Sequence, residues 1–224
     1  MGKVSNKIQN KGLKVAICIP CRDTMVASTA FDLARMSAYD ARHRKGSLAF
    51  YTVSSTLIFD ARERLAEAAL KDGADVILWI DSDMRFPRDT IDIMLSRNVP
   101  LLGVNAVTRQ KPALPTAKNF VMIAEDVGQW KKIDSRGKSG LEKVTAVGCG
   151  VQMTRRQVFE KLPKPWFEFV KVKGNQWVGE DVYFCIRAHD AGFDTFVDHD
   201  LSKHIGHVGQ YDYRWDDVDV IPED

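Results

Sequence analysis

The stretch Val76-Ile77-Leu78-Trp79-Ile80-Asp81-Ser82-Asp83-Met84 decides how this chain is read. An unbroken apolar run, Val76 to Ile80, delivers two aspartates spaced i, i+2. An apolar run of that length bounded by polar residues predicts a buried strand. The aspartates then stand where the strand ends, and in α/β proteins ligands gather outside the carboxyl ends of strands. Two carboxylates so close repel unless a cation or a proton sits between them. A hard divalent ion shared with a substrate diphosphate would supply that cation. The first expectation is therefore a metal-dependent enzyme acting on a nucleotide-linked substrate.

Upstream, Leu13 to Ile19 predicts a first strand closed by Pro20, and Leu48 to Ser54 a second. Between them Thr24 to Arg42 has helical spacing, with Met25, Phe31, Leu33, Met36 and Tyr39 as its apolar positions. Leu57 to Lys71 predicts an amphipathic helix: Leu57, Ala61, Leu65, Ala68 and Ala69 form the stripe, and Arg62, Glu63, Arg64 and Glu67 the polar face. Gly73 ends it. After the aspartates come a helix over Pro87 to Arg97 and a fourth strand over Pro100 to Val104. This β-α-β-α-β order predicts a parallel sheet.

The second half reads differently. Lys118 to Met122, Lys131 to Asp134, Lys143 to Val147, Val151 to Thr154 and Asp194 to Asp198 predict strands. Arg155 to Leu162 and Asp181 to Ala191 predict helices, the latter with Val182, Phe184, Cys185, Ile186 and Ala188 inward. One domain over 1–224 is expected: 1–13 a flexible lead-in, 14–117 a nucleotide-binding half, 118–213 an acceptor and metal half, and 214–224 an acidic tail.

Composition narrows the class. The chain has 224 residues, 45% hydrophobic and 28% charged, ordinary for a globular protein. A net charge of +2 does not by itself imply nucleic-acid binding. No apolar stretch reaches the roughly 20 residues that span a bilayer, and the polar, basic N-terminus, which has no apolar core, is not expected to act as a secretory signal. Cys18 and Cys21 have C-x-x-C spacing, but Cys18 lies within an apolar run and no second such pair exists. Plain reduced cysteines are expected, as suits a cytoplasmic protein.

A second acidic pair, Gly179-Glu180-Asp181, opens the late helix after Trp177. Acids there suit either capping or catalysis. With it the chain resembles nucleotide-sugar-dependent glycosyltransferases of the GT-A fold, close to the family-2-like group and its phage-borne members. The resemblance rests on Ala16-Ile17-Cys18-Ile19-Pro20, Ala61-Arg62, the D-x-D segment Asp81-Ser82-Asp83, Gly148-Cys149-Gly150-Val151, Glu180-Asp181 and Ile205-Gly206-His207-Val208, in that order. It implies an α/β fold with a mostly parallel, Rossmann-like central sheet flanked by helices and a mixed C-terminal half.

The resemblance also implies roles. Asp83 would bind Mn²⁺ or Mg²⁺ directly, and Asp81 through water or by holding the donor ribose. His207 would be a further metal ligand, with His204 the alternative; an imidazole favours Mn²⁺. Asp181 would deprotonate the acceptor hydroxyl with Glu180 beside it, the reverse assignment and a retaining course staying open. Pro20, Arg22 and Asp23 would hold the base and ribose of a UDP- or GDP-sugar, with Ser82 beside them. Arg62 would reach base or diphosphate, and Arg109 the donor sugar or diphosphate. Gly148-Cys149-Gly150 would let the backbone approach a substrate, and Trp177 would stack on a sugar. The cluster Lys131, Lys132, Arg136, Lys138 and Lys143 reads as a solvated face or a surface for a polyanionic acceptor such as DNA. A nucleotidyltransferase and a non-catalytic nucleotide-sugar-binding module are the competing classes.

Overall fold

A computed structural model of the chain describes residues 12–124, 127–172 and 176–210. The expected lead-in over 1–13 falls largely outside these residues, and the acidic tail entirely so. The first half runs β1 (Val15–Cys21), α1 (Ala27–His43), β2 (Leu48–Ser54), α2 (Ile58–Lys71), β3 (Val76–Ile80), β4 (Met84–Arg85), α3 (Thr90–Ser96) and β5 (Leu101–Gly103). The second runs β6 (Lys118–Ala124), β7 (Val127–Lys132), β8 (Leu141–Val144), β9 (Val151–Arg155), α4 (Arg156–Lys161), β10 (Val170–Val172) and β11 (Gln176–Val178). It closes with α5 (Glu180–Asp190), β12 (Thr195–Asp198), α6 (His199–Ser202) and β13 (Gly206–His207).

The central sheet has the order β2-β1-β3-β9-β5-β12-β8. β1 is parallel to β2 and β3, and β5 to β12. β9 runs antiparallel between β3 and β5, and β8 antiparallel on the edge. The expected parallel run is thus interrupted: β5 does not pair with β3, because a strand from the second half takes that place.

Val76 to Ile80 are all fully buried, the signature of a strand covered on both faces. Its side chains alternate between two cores. Ile77 and Trp79 join Ala16, Cys18, Leu65, Ala69 and Phe184 on the α2 and α5 side. Val76, Leu78 and Ile80 join Ile17, Leu33, Met36 and Ile91 on the α1 and α3 side. Aromatic rings fill the first core: Trp79 meets Phe167 edge-on at 5.3 Å, and Phe167 stacks on Phe184 at 4.7 Å. β2, at the sheet edge, buries less of its surface.

Several helix faces differ from expectation. On α2, Leu57 and Ala68 face out, while Ala66 and Arg62 turn in. On α1, Phe31 is exposed, and Asp32 and Asp40 are buried. The buried acids are matched by cations: Asp32 accepts from Arg85 at 2.5 Å, and Asp40 from Arg44 at 2.5 Å. An ion-paired carboxylate can take an inward position that an apolar count assigns to Phe. Cys18 and Cys21 do not form a site. In a strand, residues three apart point to opposite faces, and all four cysteines are free.

Candidate functional site

The site lies where β3 ends. Its last residue pairs with Val151 of β9, and the Asp81 amide donates to the Gly150 carbonyl at 2.9 Å. The chain then turns sharply, the Met84 amide donating to the Asp81 carbonyl at 3.2 Å. The Ser82 carbonyl accepts from the Val26 amide at 2.9 Å, which ties the turn to the start of α1. Gly150 leaves little room behind it: an added Cβ would lie 3.2 Å from the Met84 sulfur and 3.7 Å from the Asp81 carboxylate.

A short antiparallel pair carries the late histidine to this turn. Met84 of β4 is opposite His207 of β13, and the Val208 amide donates to the Asp83 carbonyl at 2.8 Å. The pairing sets His207 Nε2 3.4 Å from Asp83 Oδ1. His207 Nδ1 lies 2.7 Å from the Val107 carbonyl oxygen, which can only accept, so Nδ1 carries a proton. Nε2 therefore either holds a second proton toward Asp83 or presents a lone pair to a cation shared with it. The other oxygen of Asp83 lies 2.7 Å from Arg109 Nη1. Burial pushes the Asp83 carboxyl up, but the hydrogen bond to His207 and the charges of His207 and Arg109 outweigh it and hold it below the usual range. The same hydrogen bond raises the His207 imidazole. His204, the alternative ligand, is exposed and makes no ion pair with Asp83.

Arg62 organises the carboxylates on the other side. Its side chain is 3% exposed. Nη2 donates to Asp81 Oδ1 at 2.9 Å and Nε to Glu180 Oε1 at 3.2 Å. The guanidinium lies over the Trp79 ring at 5.5 Å, and Nη1 has no partner. Arg62 is thus the buried counter-ion of two site carboxylates that are far apart in sequence.

Glu180 and Asp181 form the first turn of α5, where the helix terminus favours negative charge. They are not equivalent. Glu180 is buried against Arg62. Asp181 is more open, and Oδ1 accepts from the Val182 amide at 2.7 Å. Its Oδ2 lies 3.6 Å from the position of a Cβ on Gly148. Burial raises both carboxyls, and Arg62 opposes the rise in each. Lys118, at the start of β6, also lowers the Asp181 carboxyl from across a gap too wide for a direct ion pair. Nothing near Lys118 in sequence marks it; only the pairing of β6 beside Ala146 brings it there.

The ends of β1 and β2 enclose a cleft of about 440 Å³, lined by Arg22, Asp23, Met25, Phe50, Tyr51 and Thr52 among others. Phe50 shows 48% of its surface there. Arg22 pairs with Asp23 at 3.1 Å, and Ser54 Oγ donates to the Arg22 carbonyl. Pro20 lies within β1, between the lining residues Ile19 and Cys21. Trp177 is 66% exposed, just before the acidic pair.

The expected metal set is brought together in part. Asp83 and His207 meet, while Asp81 turns an oxygen to Arg62, and no cluster of three such ligands exists among the described residues. The donor chemistry nonetheless fits a divalent ion. A fixed imidazole tautomer faces a carboxylate, and ions of this type commonly take few protein ligands and complete their shell with substrate phosphates and water.

No protein-family model matches the chain, and no curated protein matches it by sequence. Solved structures do match by shape. A197 from STIV superposes over 90% of this chain and 97% of its own at TM-score 0.53 and 14% identity. GalNAc-T7, solved with UDP, GalNAc and Mn²⁺, matches 90% of this chain at TM-score 0.54 and 11% identity. This chain spans 45% of that one. A mutant Drosophila galactosyltransferase 7, in complex with manganese, UDP-Gal and xylobiose, matches 88% of this chain and 71% of its own at TM-score 0.51 and 16% identity. The seven-stranded sheet with its antiparallel β9, the two helical layers and these superpositions agree: the chain has the GT-A fold.

Proposed function

We propose that this chain is a glycosyltransferase that moves a sugar from a nucleoside-diphosphate donor to an acceptor hydroxyl with the help of a divalent ion. The observation that carries the reading is the meeting of Asp83 and His207 at the end of β3, between the open cleft beside β1 and the acidic start of α5. Two structural neighbours were solved with uridine nucleotides and manganese, which supports a UDP-sugar as donor.

Phe50 offers an exposed ring for the base, with Arg22 and Asp23 at the rim of the same cleft. The diphosphate then reaches the turn at Asp83. Asp83 and His207 would hold the divalent ion, with Asp81 close by. Such an ion, when bound, offsets the charge of the leaving diphosphate as a Lewis acid. Asp181 is the base in this reading, because Glu180 is committed to Arg62 and Asp181 is not. Its raised carboxyl is a better proton acceptor than an ordinary aspartate, provided the pH keeps it ionised. The acceptor oxygen bonds to the anomeric carbon while the bond from that carbon to the diphosphate oxygen breaks. The acceptor proton passes to Asp181, and the configuration inverts.

The test is release of free nucleotide from a panel of UDP- and GDP-sugars with Mn²⁺ and with chelator. Metal-dependent release by the native chain, cut about 100-fold or more in Asp83→Asn, supports the reading. Release that ignores Mn²⁺, or that survives Asp83→Asn, overturns the metal assignment. No release from any donor overturns the activity.

A further inference from the structure

Both oxygens of Asp83 face a basic side chain. Oδ1 faces His207 Nε2 at 3.4 Å, and Oδ2 faces Arg109 Nη1 at 2.7 Å. A divalent ion that needs this carboxylate must therefore displace a cation already on it. The guanidinium also repels any dication that approaches, by an amount that grows as water is excluded. Arg109 is free to leave. Its side chain is 53% exposed, Asp83 is its only ion-pair partner among the described residues, and its stem passes under Gly209, where a Cβ would lie 3.4 Å away. The absence of a side chain at Gly209 leaves the stem room to shift.

The alternative partner for Arg109 is a diphosphate, whose oxygens suit the planar fork of a guanidinium better than a lone carboxylate oxygen does. We infer that Arg109 is a positioning residue that passes from Asp83 to the diphosphate of the incoming nucleotide, so that nucleotide and divalent ion bind as a coupled pair. The inference rests on the reading that Asp83 and His207 hold the ion. It adds that the bare protein binds the ion poorly because Arg109 stands in for it. Coupling of this kind is reciprocal: the ion must strengthen nucleotide binding by the factor by which nucleotide strengthens ion binding. Part of that factor comes from direct contact between ion and phosphate, and the part owed to Arg109 is separable by mutation.

Mn²⁺ binding is measured from the electron paramagnetic resonance signal of the free ion, first without nucleotide and then with saturating UDP, at fixed pH and ionic strength. The chains compared are the native protein, Arg109→Met, Arg109→Lys and Asp83→Asn, each checked for unchanged thermal unfolding. Without nucleotide, Arg109→Met binds Mn²⁺ about five-fold or more tightly than the native chain, since a competing half-exposed cation is gone. Arg109→Lys keeps the cation and stays near native. With UDP the native chain gains more Mn²⁺ affinity than Arg109→Met does, and metal-free UDP binding is weaker in Arg109→Met. If Arg109→Met binds bare Mn²⁺ no tighter than native while Asp83→Asn abolishes binding, the relay is wrong and the metal site stands. If Asp83→Asn binds Mn²⁺ as the native chain does, the metal site fails and the relay fails with it.

Discussion

Replacing Arg62 by Met tests the part of the site that is most hidden. The substitution keeps an unbranched apolar side chain over Trp79 and removes the charge that serves Asp81 and Glu180. Removing one partner of a buried ion pair costs about 3–5 kcal/mol, because the other charge is left without compensation. Two effects reduce that figure here. The Asp81 side chain is 30% exposed, so water screens part of its loss. Nη1 of Arg62 has no partner in the native chain, and an unsatisfied buried donor costs about 1–3 kcal/mol that the variant no longer bears. A net destabilisation of about 1–3 kcal/mol near neutral pH remains.

The sign of the pH dependence sharpens the test. Burial already raises the Glu180 carboxyl, with Arg62 opposing it. Without Arg62 the folded-state carboxyl rises further above its unfolded value. The folded variant then binds more protons than the unfolded chain across the window between those two values. Stability falls as pH rises wherever that holds. The loss measured by urea unfolding is therefore smaller near pH 5 than near pH 8, at ordinary precision of midpoint and slope. Adding Glu180→Gln to Arg62→Met recovers part of the loss, because the stranded charge is gone. A loss under about 1 kcal/mol at both pH values would sink the claim that Arg62 compensates buried charge.

The two acids of α5 should separate by assay: Asp181→Asn lowers donor turnover by about 10²–10⁴-fold with nucleotide affinity little changed, as expected for a general base. Glu180→Gln acts chiefly on unfolding midpoint. The rate of the native chain falls on acidification at a pH above the usual aspartate range, because protonation of the raised Asp181 carboxyl removes the base, and a flat profile there would refute its role. Phe50→Ala weakens UDP binding by roughly ten-fold in calorimetry, the scale of a lost base-to-ring stack, without altering Mn²⁺ binding to the bare chain. Phe184→Ala, which empties a fully buried position stacked on Phe167 and Phe159, costs about 3–5 kcal/mol of folding stability in urea unfolding.

What local sequence carries, the chain displayed. The apolar run of β3, the amphipathic spacing of α2, and the glycine before α5 are properties of short windows, and each element lies within a few residues of where its pattern puts it. What depends on partners distant in the chain was hidden. Nothing within Val151–Arg155 says that β9 inserts between β3 and β5, since strand order is settled by which buried faces fit together. β4 and β13 have two residues each, too few for any period; their pairing brings His207 to Asp83, a meeting expected from the resemblance and not from local pattern. Arg62 was read onto the polar face of α2 by residue type. Its inward turn is intelligible only once Asp81 and Glu180 are seen to flank it.

That last point bears on why the site is stable enough to exist before a substrate arrives. Asp81, Asp83, Glu180 and Asp181 converge from β3 and α5, and like charges brought together in a partly buried place would drive the turn apart or force protons onto it. The protein sets a cation against each region: Arg62 locked beneath Asp81 and Glu180, Arg109 on Asp83 with the His207 imidazole beside it, and Lys118 acting on Asp181 by charge without an ion pair. The degree of burial divides them by task. Arg62 is sealed and ion-paired to two carboxylates, so it belongs to the scaffold. Arg109 is half exposed and pairs with Asp83 alone among the described residues, while Lys118 acts on Asp181 by charge without an ion pair, its ammonium lying over the Trp130 ring at 4.7 Å. In the function proposed above, Arg109 and Lys118 stand toward the diphosphate and the acceptor hydroxyl, and Arg62 toward the core. On the proposed reading, a change that sealed Arg109 onto Asp83 would close the site to a divalent ion.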